Sequence, residues 1–189
     1  MTQTHPQDAA DAAIAAIESL FARRGHEIYG ETVTQLEHAL QCAAAAADDD
    51  APPELVTAAL LHDVGHMLHP DPGGALADDA DDRHEAIGAH WLRQWFPVSV
   101  TQPIALHVAA KRCLVRVDPA YAAALSPVSL RTLQLQGGPM ETAQAHAFVA
   151  SPTGHEAVRL RRWDELAKQP GMRTAPLAHF LAFARACLP

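Results

Sequence analysis

No stretch of this chain alternates apolar and polar residues for long enough to demand a sheet, whereas apolar residues recur at helical spacing along its length. That pattern restricts the chain to an all-α architecture, a single helical bundle. Alanine supplies much of the 49% apolar content, and aromatic residues only 5%. Alanine is the strongest helix former, and runs of β-branched residues are scarce. A first helix is expected over about 7–24, with Ile14, Ile17 and Phe21 on one face and Gly25 as its C-cap. A second is expected from Glu31 to Ala47, stopping at Asp48-Asp49-Asp50. A third starts at Pro53, a favoured first-turn residue, and carries Leu55, Ala58 and Leu61 on one face as far as Gly65.

Residues 68–82 are rich in Pro, Gly and Asp and read as a loop long enough to be a lid. Further helices are expected at about 82–95, 102–112, 118–125, 127–136, 139–150, 154–168 and 176–187. The 189 residues fit one domain over 1–189, with a core of about 25–187 behind the N-terminal helix. The start, MTQTHPQDAADAA, has no basic region followed by an apolar core, and no window approaches the length of a membrane span. Cys42, Cys113 and Cys187 are odd in number and widely spaced, which fits a reducing cytoplasm. The net charge of −8 repels phosphate backbones, so neither a nucleic-acid nor a membrane partner is expected.

Chemistry concentrates in His62-Asp63-Val64-Gly65-His66. A His-Asp pair that directly follows the buried-looking stretch Ala58 to Leu61 needs a partner, because both residue types are rarely buried alone. A metal would satisfy both; the alternative is a helix end with a surface ion pair. His38 precedes this pair, and His84, His107 and Asp164 follow it. Four imidazoles and two carboxylates, without thiolate, suit iron, manganese or a similar metal better than a structural zinc site.

The order and spacing resemble the HD-domain superfamily, and the added His84 and His107 resemble those members that hold two metals. The segments GETVTQLEHALQCA, AALLHDVGH, DDRHEAIGAHWL, LHVAAKRCL, LSPVSLRTLQLQGGPM and AVRLRRWDELAK are similar to the phosphonate-degradation HD-domain oxygenases. The best-known activity of that family is 2-amino-1-hydroxyethylphosphonate dioxygenase. The similarity covers roughly residues 25–185.

The resemblance implies two iron ions, mixed-valent Fe(II)/Fe(III) when active, with O2 as co-substrate. Asp63 would bridge the irons. His38, His62 and Asp164 would complete one, and His84 and His107 the other. The implied substrate is a 1-hydroxy-2-(amino or trimethylammonio)ethylphosphonate, cleaved at its C–P bond to phosphate and glycine or glycine betaine. Lys111 and Arg161 each lie one helical turn from a ligand candidate, His107 and Asp164 respectively, and would suit an anion. Ser129, Thr132 and Gln136 form a polar stripe that is equally a solvated face. The resemblance assigns them, with Lys111, to the phosphonate, His66 to another substrate contact and Glu31 to the amino end. Where the amino-phosphonate enzyme has a tyrosine able to ligate iron, this chain has Ile28, with Tyr29 adjacent. A metal-dependent phosphohydrolase acting on a small phosphate ester would use the same six ligands. A catalytically silent ligand-binding domain would not need them.

Overall fold

A computed structural model describes residues 6–28, 32–69 and 81–189. Its described residues are helical throughout, apart from turns and one isolated antiparallel bridge between Ile28 and Thr34. The helices are α1 (Pro6–Arg24), α2 (Gln35–Asp48), α3 (Pro53–Leu61), α4 (Val64–Leu68), α5 (His84–Leu92) and α6 (Val98–Val117), followed by α7 (Pro119–Ala124), α8 (Pro127–Leu135), α9 (Thr142–Ala150), α10 (Pro152–Leu166) and α11 (Leu177–Ala186). No helix among the described residues is long and apolar enough to cross a membrane.

The centre of the bundle is α3. Every residue from Leu55 to Leu61 is buried, so this helix is apolar all round and must be enclosed. It is packed by α2, α6, α10 and α11, while α6 also carries α5, α9 and α10. The core around it joins Ile17, Leu20 and Phe21 of α1 to Leu92, Ile104, Leu160 and Phe180. Two smaller clusters lie beside α6, one of them built on Leu114, Tyr121, Leu125 and Leu133.

Three expected boundaries are corrected. The second helix starts at Gln35 rather than Glu31, because Thr34 and Glu37 close a reciprocal capping box ahead of it. The helix expected at 102–112 runs from Val98 to Val117. Pro103 lies inside it, where its ring forgoes one hydrogen bond to an early carbonyl, and Pro97 is the residue at which the helix opens. The third helix does not run on to Gly65: it ends at Leu61, and the chain turns at His62 and Asp63 before α4. That break re-aims the His-Asp pair.

Gly65 explains how tightly the new direction is held. A Cβ there would lie 1.9 Å from the backbone oxygen of His84 and 2.8 Å from its Cα. Only glycine permits α4 and the start of α5 to meet at this distance. Nearby, a Cβ on Gly88 would lie 3.1 Å from the Gly65 nitrogen.

Candidate metal centre

His38 comes from α2, the His62-Asp63 pair from the α3–α4 turn, His84 from the start of α5, His107 from α6 and Asp164 from α10. All six are buried, His38, His62 and Asp164 completely. They form two groups, His38 with His62 and Asp164, and His84 with His107 and Asp63. In the first, the Nε2 atoms of His38 and His62 are 3.2 Å apart. Asp63 Oδ2 lies 3.5 Å from His38 Nε2 and 3.3 Å from His62 Nε2. Asp164 Oδ1 is 3.5 Å from His38 Nε2. In the second group the Nε2 atoms of His84 and His107 are 3.1 Å apart. Asp63 Oδ1 lies 3.4 Å from the one and 3.5 Å from the other. Asp63 therefore turns one oxygen to each group.

The outward-facing nitrogens settle the tautomers. His38 Nδ1 donates to the Ala167 carbonyl at 2.7 Å, His62 Nδ1 to that of Ala59 at 2.8 Å and His107 Nδ1 to that of Ile104 at 2.8 Å. His84 Nδ1 donates to Asp82 Oδ1 at 2.7 Å. A carbonyl or carboxylate oxygen only accepts, so each Nδ1 carries a proton, and any ring without a second proton turns an Nε2 lone pair inward. Lone pairs facing each other at about 3 Å repel unless something positive lies between them. Asp63 Oδ1 and Oδ2 and Asp164 Oδ1 are likewise buried with no hydrogen-bond donor. Buried carboxylate oxygens without donors are costly, and cations would satisfy them. The residues therefore fit metal at both groups.

The electrostatics agree. Burial alone would push the Asp63 carboxyl up, yet the imidazoles of His62 and His38 hold it well below the usual carboxylate range. Burial would also push His62 down, but the Asp63 carboxylate overcomes it and drives that imidazole well above its ordinary value. The cluster thus draws positive charge to the His62 Nε2 position, and a metal there takes the place of a proton. Burial, reinforced by His84, pushes His107 well below its ordinary value, as a neutral ligand requires.

A cluster of cationic side chains adjoins the first group. Lys111 Nζ donates to Thr132 Oγ1 at 2.9 Å, and burial followed by the Arg161 charge pushes its ammonium down to about 7. Arg161 ion-pairs with Asp164, donates through Nη2 to Glu165 Oε2 at 2.6 Å, and donates through Nε to the Tyr121 hydroxyl at 2.7 Å. Arg161 overcomes the burial of Asp164 and holds that carboxyl well below its ordinary range, while burial pushes Tyr121 up to about 12. Lys168 Nζ lies 2.9 Å from Ser129 Oγ and 3.0 Å from Glu165 Oε1. Gln136 Oε1 is buried without a donor.

The structure thus brings together the six ligand candidates, with Lys111, Ser129, Thr132 and Arg161 alongside. His66 lies against the second group, its ring stacked on that of His84 at 3.9 Å. Tyr29 and Glu31 lie outside the described residues, as does most of the expected 68–82 loop. Ile28 is 65% exposed and pairs through its backbone with Thr34. The sequence reading missed Asp82, Tyr121, Glu165 and Lys168. The one signal available for Glu165 was its position four residues beyond Arg161, a spacing that favours an ion pair.

The chain matches the HD domain family over residues 35–168. It is 43% identical over 178 residues to a hydroxymethylphosphonate dioxygenase of Gimesia maris (strain ATCC 29201 / DSM 8797 / 534-30), covering 93% of this chain and 88% of that one. It is 42% identical over 166 residues to a [1-hydroxy-2-(trimethylamino)ethyl]phosphonate dioxygenase (glycine-betaine-forming) of Leisingera caerulea, covering 87% of this chain and 84% of that one.

Proposed function

The chain belongs to the HD domain family, among its phosphonate-degrading oxygenases, and on that premise we propose that it cleaves the C–P bond of a 1-hydroxyalkylphosphonate with O2. Inorganic phosphate and a carboxylate are the products, and both oxygen atoms of O2 are retained in them. The observation that carries this reading is the pair of facing Nε2 lone pairs either side of the donor-less Asp63 carboxylate, beside a buried ammonium.

In this reading His38, His62 and Asp164 would hold one iron, His84 and His107 the other, with an oxygen of Asp63 available to each. Bound there, a mixed-valent Fe(II)/Fe(III) pair supplies the redox chemistry and O2 activation that protein side chains lack. The chain's own residues do the rest. Lys111, Ser129, Thr132 and Gln136 form the phosphonate subsite, with hydroxyls, an amide and an ammonium suited to a tetrahedral oxyanion. Arg161 keeps Asp164 ionised and turned to the cation, and adds positive charge behind that subsite. His66 faces the substrate from the His84 side. Asp63 and Asp164 stay ionised across the working pH range and need no proton movement to serve as ligands.

The two relatives differ beyond the hydroxyl-bearing carbon, one acting on a hydroxymethylphosphonate, which has no C2, and the other on a compound with a trimethylamino group at C2. For this chain a cationic C2 group, amino or trimethylammonio, falls to Glu31, giving glycine or glycine betaine, with Tyr29 taking the place of the family's iron-ligating tyrosine. Three cysteines, all free in the structure, fit a cytoplasmic enzyme.

The test is turnover of hydroxymethylphosphonate and of the 2-amino and 2-trimethylammonio 1-hydroxyethylphosphonates by iron-loaded protein. The expected outcome is O2 uptake matched one-to-one by phosphate release from at least one of them. Phosphate released anaerobically from a phosphate ester, without oxygen-dependent turnover of any hydroxyphosphonate, would instead establish the hydrolase.

A further inference from the structure

Asp82 stands just ahead of α5 and touches two imidazoles at once. Its Oδ1 accepts the Nδ1–H of His84 at 2.7 Å and the His84 backbone N–H at 3.3 Å. Its Oδ2 accepts from His66 Nδ1 at 2.7 Å. The two rings stack at 3.9 Å and 17°, so the carboxylate clips together a parallel pair. The Asp82 side chain is 14% exposed and the His66 side chain 21%, so water competes only partly for these bonds. Asp82, His66 and His84 lie close enough together to hold a cation, but the Nδ1 atoms of both rings are turned onto the Asp82 carboxylate.

We infer that Asp82 is a positioning residue for both halves of the site, fixing the metal-side tautomer of His84 with one oxygen and the pocket-side orientation of His66 with the other. This rests on the reading of the site as a two-metal centre. The physical requirement is for two acceptors. A carboxylate offers one to each Nδ1–H, whereas an amide of the same shape offers one oxygen and a competing donor. With an amide at this position, one ring must rotate or move its proton to Nε2. For His84, a proton on Nε2 blocks ligation outright. For His66, it turns the nitrogen that faces away from Asp82 from an acceptor into a donor.

The test is anaerobic Fe(II) titration of the apo-protein, with metal per chain counted after gel filtration. It compares the wild type with Asp82→Asn, Asp82→Glu and His66→Ala, with helical content checked by circular dichroism. The expected wild-type result is two equivalents. In Asp82→Asn the first equivalent keeps its affinity and the second weakens about 10- to 100-fold, the range typical of losing the partner that orients a ligand. Asp82→Glu keeps two acceptor oxygens and recovers part of that loss. His66→Ala leaves the second equivalent within threefold of wild type but weakens methylphosphonate binding to the loaded protein, and Asp82→Asn weakens that binding too. A second equivalent and a methylphosphonate affinity both unchanged in Asp82→Asn overturn the inference while leaving the two-metal reading intact. Equal losses in the Asn and Glu variants overturn the two-acceptor account. A wild type that binds fewer than two metals overturns the two-metal reading, and the role of Asp82 with it.

Discussion

The ammonium of Lys111 reaches from α6 to α8 and donates to the Thr132 hydroxyl at 2.9 Å, which leaves it beside Asp164 yet paired with a neutral partner. A buried ammonium without a carboxylate counter-ion is poised for an anion from outside. Replacing it by Lys111→Ala should raise the KM for the phosphonate about 10- to 100-fold, the equivalent of one charge-assisted hydrogen bond. Iron content should be unchanged. Steady-state kinetics with metal analysis checks both, and an unaltered KM removes Lys111 from the phosphonate subsite.

The same side chain sets a pH dependence. Burial and the Arg161 charge bring its ammonium down to about 7, so it is charged below that value and increasingly neutral above it. Anion binding through Lys111 is therefore strongest below pH 7 and fades as the pH rises through it. Lys111→Arg stays charged over this range. The ratio of wild-type to Lys111→Arg kcat/KM, in which the ionisation of the substrate itself cancels, should fall between about pH 6 and pH 8. A flat ratio would contradict the assignment.

Asp63 gives one oxygen to each group, so its loss should empty both. Asp63→Ala and His62→Ala are expected to abolish turnover, with Asp63→Ala retaining the less metal of the two. Elemental analysis after iron-replete expression decides this, and full metal content in both variants refutes the ligand assignment.

Gly65→Ala would force a methyl group into the backbone of His84, which cannot swing aside as a flexible side chain would. The α4 and α5 segments must separate. The expected cost is about 1–3 kcal/mol in stability, measured by denaturant titration, together with weaker binding of the metal held by His84 and His107.

Metal removal should lower Tm. Ligand binding to the native state stabilises it by mass action, and here six ligands drawn from well-separated parts of the chain must be gathered before the centre exists. Thermal melts with and without a chelator should differ by several degrees or more, and by less in Asp63→Ala.

The clustered residues were legible because each of His38, the His62-Asp63 pair, His84, His107 and Asp164 stands in a recognisable stretch with a helical setting. The residues around them were not. Asp82 sits in a run of acids where nothing local separates it from Asp81. Tyr121 looks like one more core aromatic until the Arg161 guanidinium is seen on its hydroxyl. Lys168 reaches Ser129 from 39 residues away, a distance that no periodicity encodes. Among the helices, the Thr34-x-x-Glu37 box was a readable start signal that the acidic residue upstream obscured. The break after Leu61 had no breaker at the position itself. Its cause is the tertiary approach of Gly65 to α5, which appears only once both helices are placed.

Three of the four imidazoles are moored to main-chain oxygens, those of Ala59, Ile104 and Ala167, and the fourth to a side chain. No point mutation deletes a peptide carbonyl. The basicity of His38, His62 and His107 is thus insulated from sequence drift, while that of His84 is exposed to it through a single codon. If metals held by the two groups are to differ in redox potential, or a descendant is to adopt another metal at one of them, position 82 is where selection has purchase.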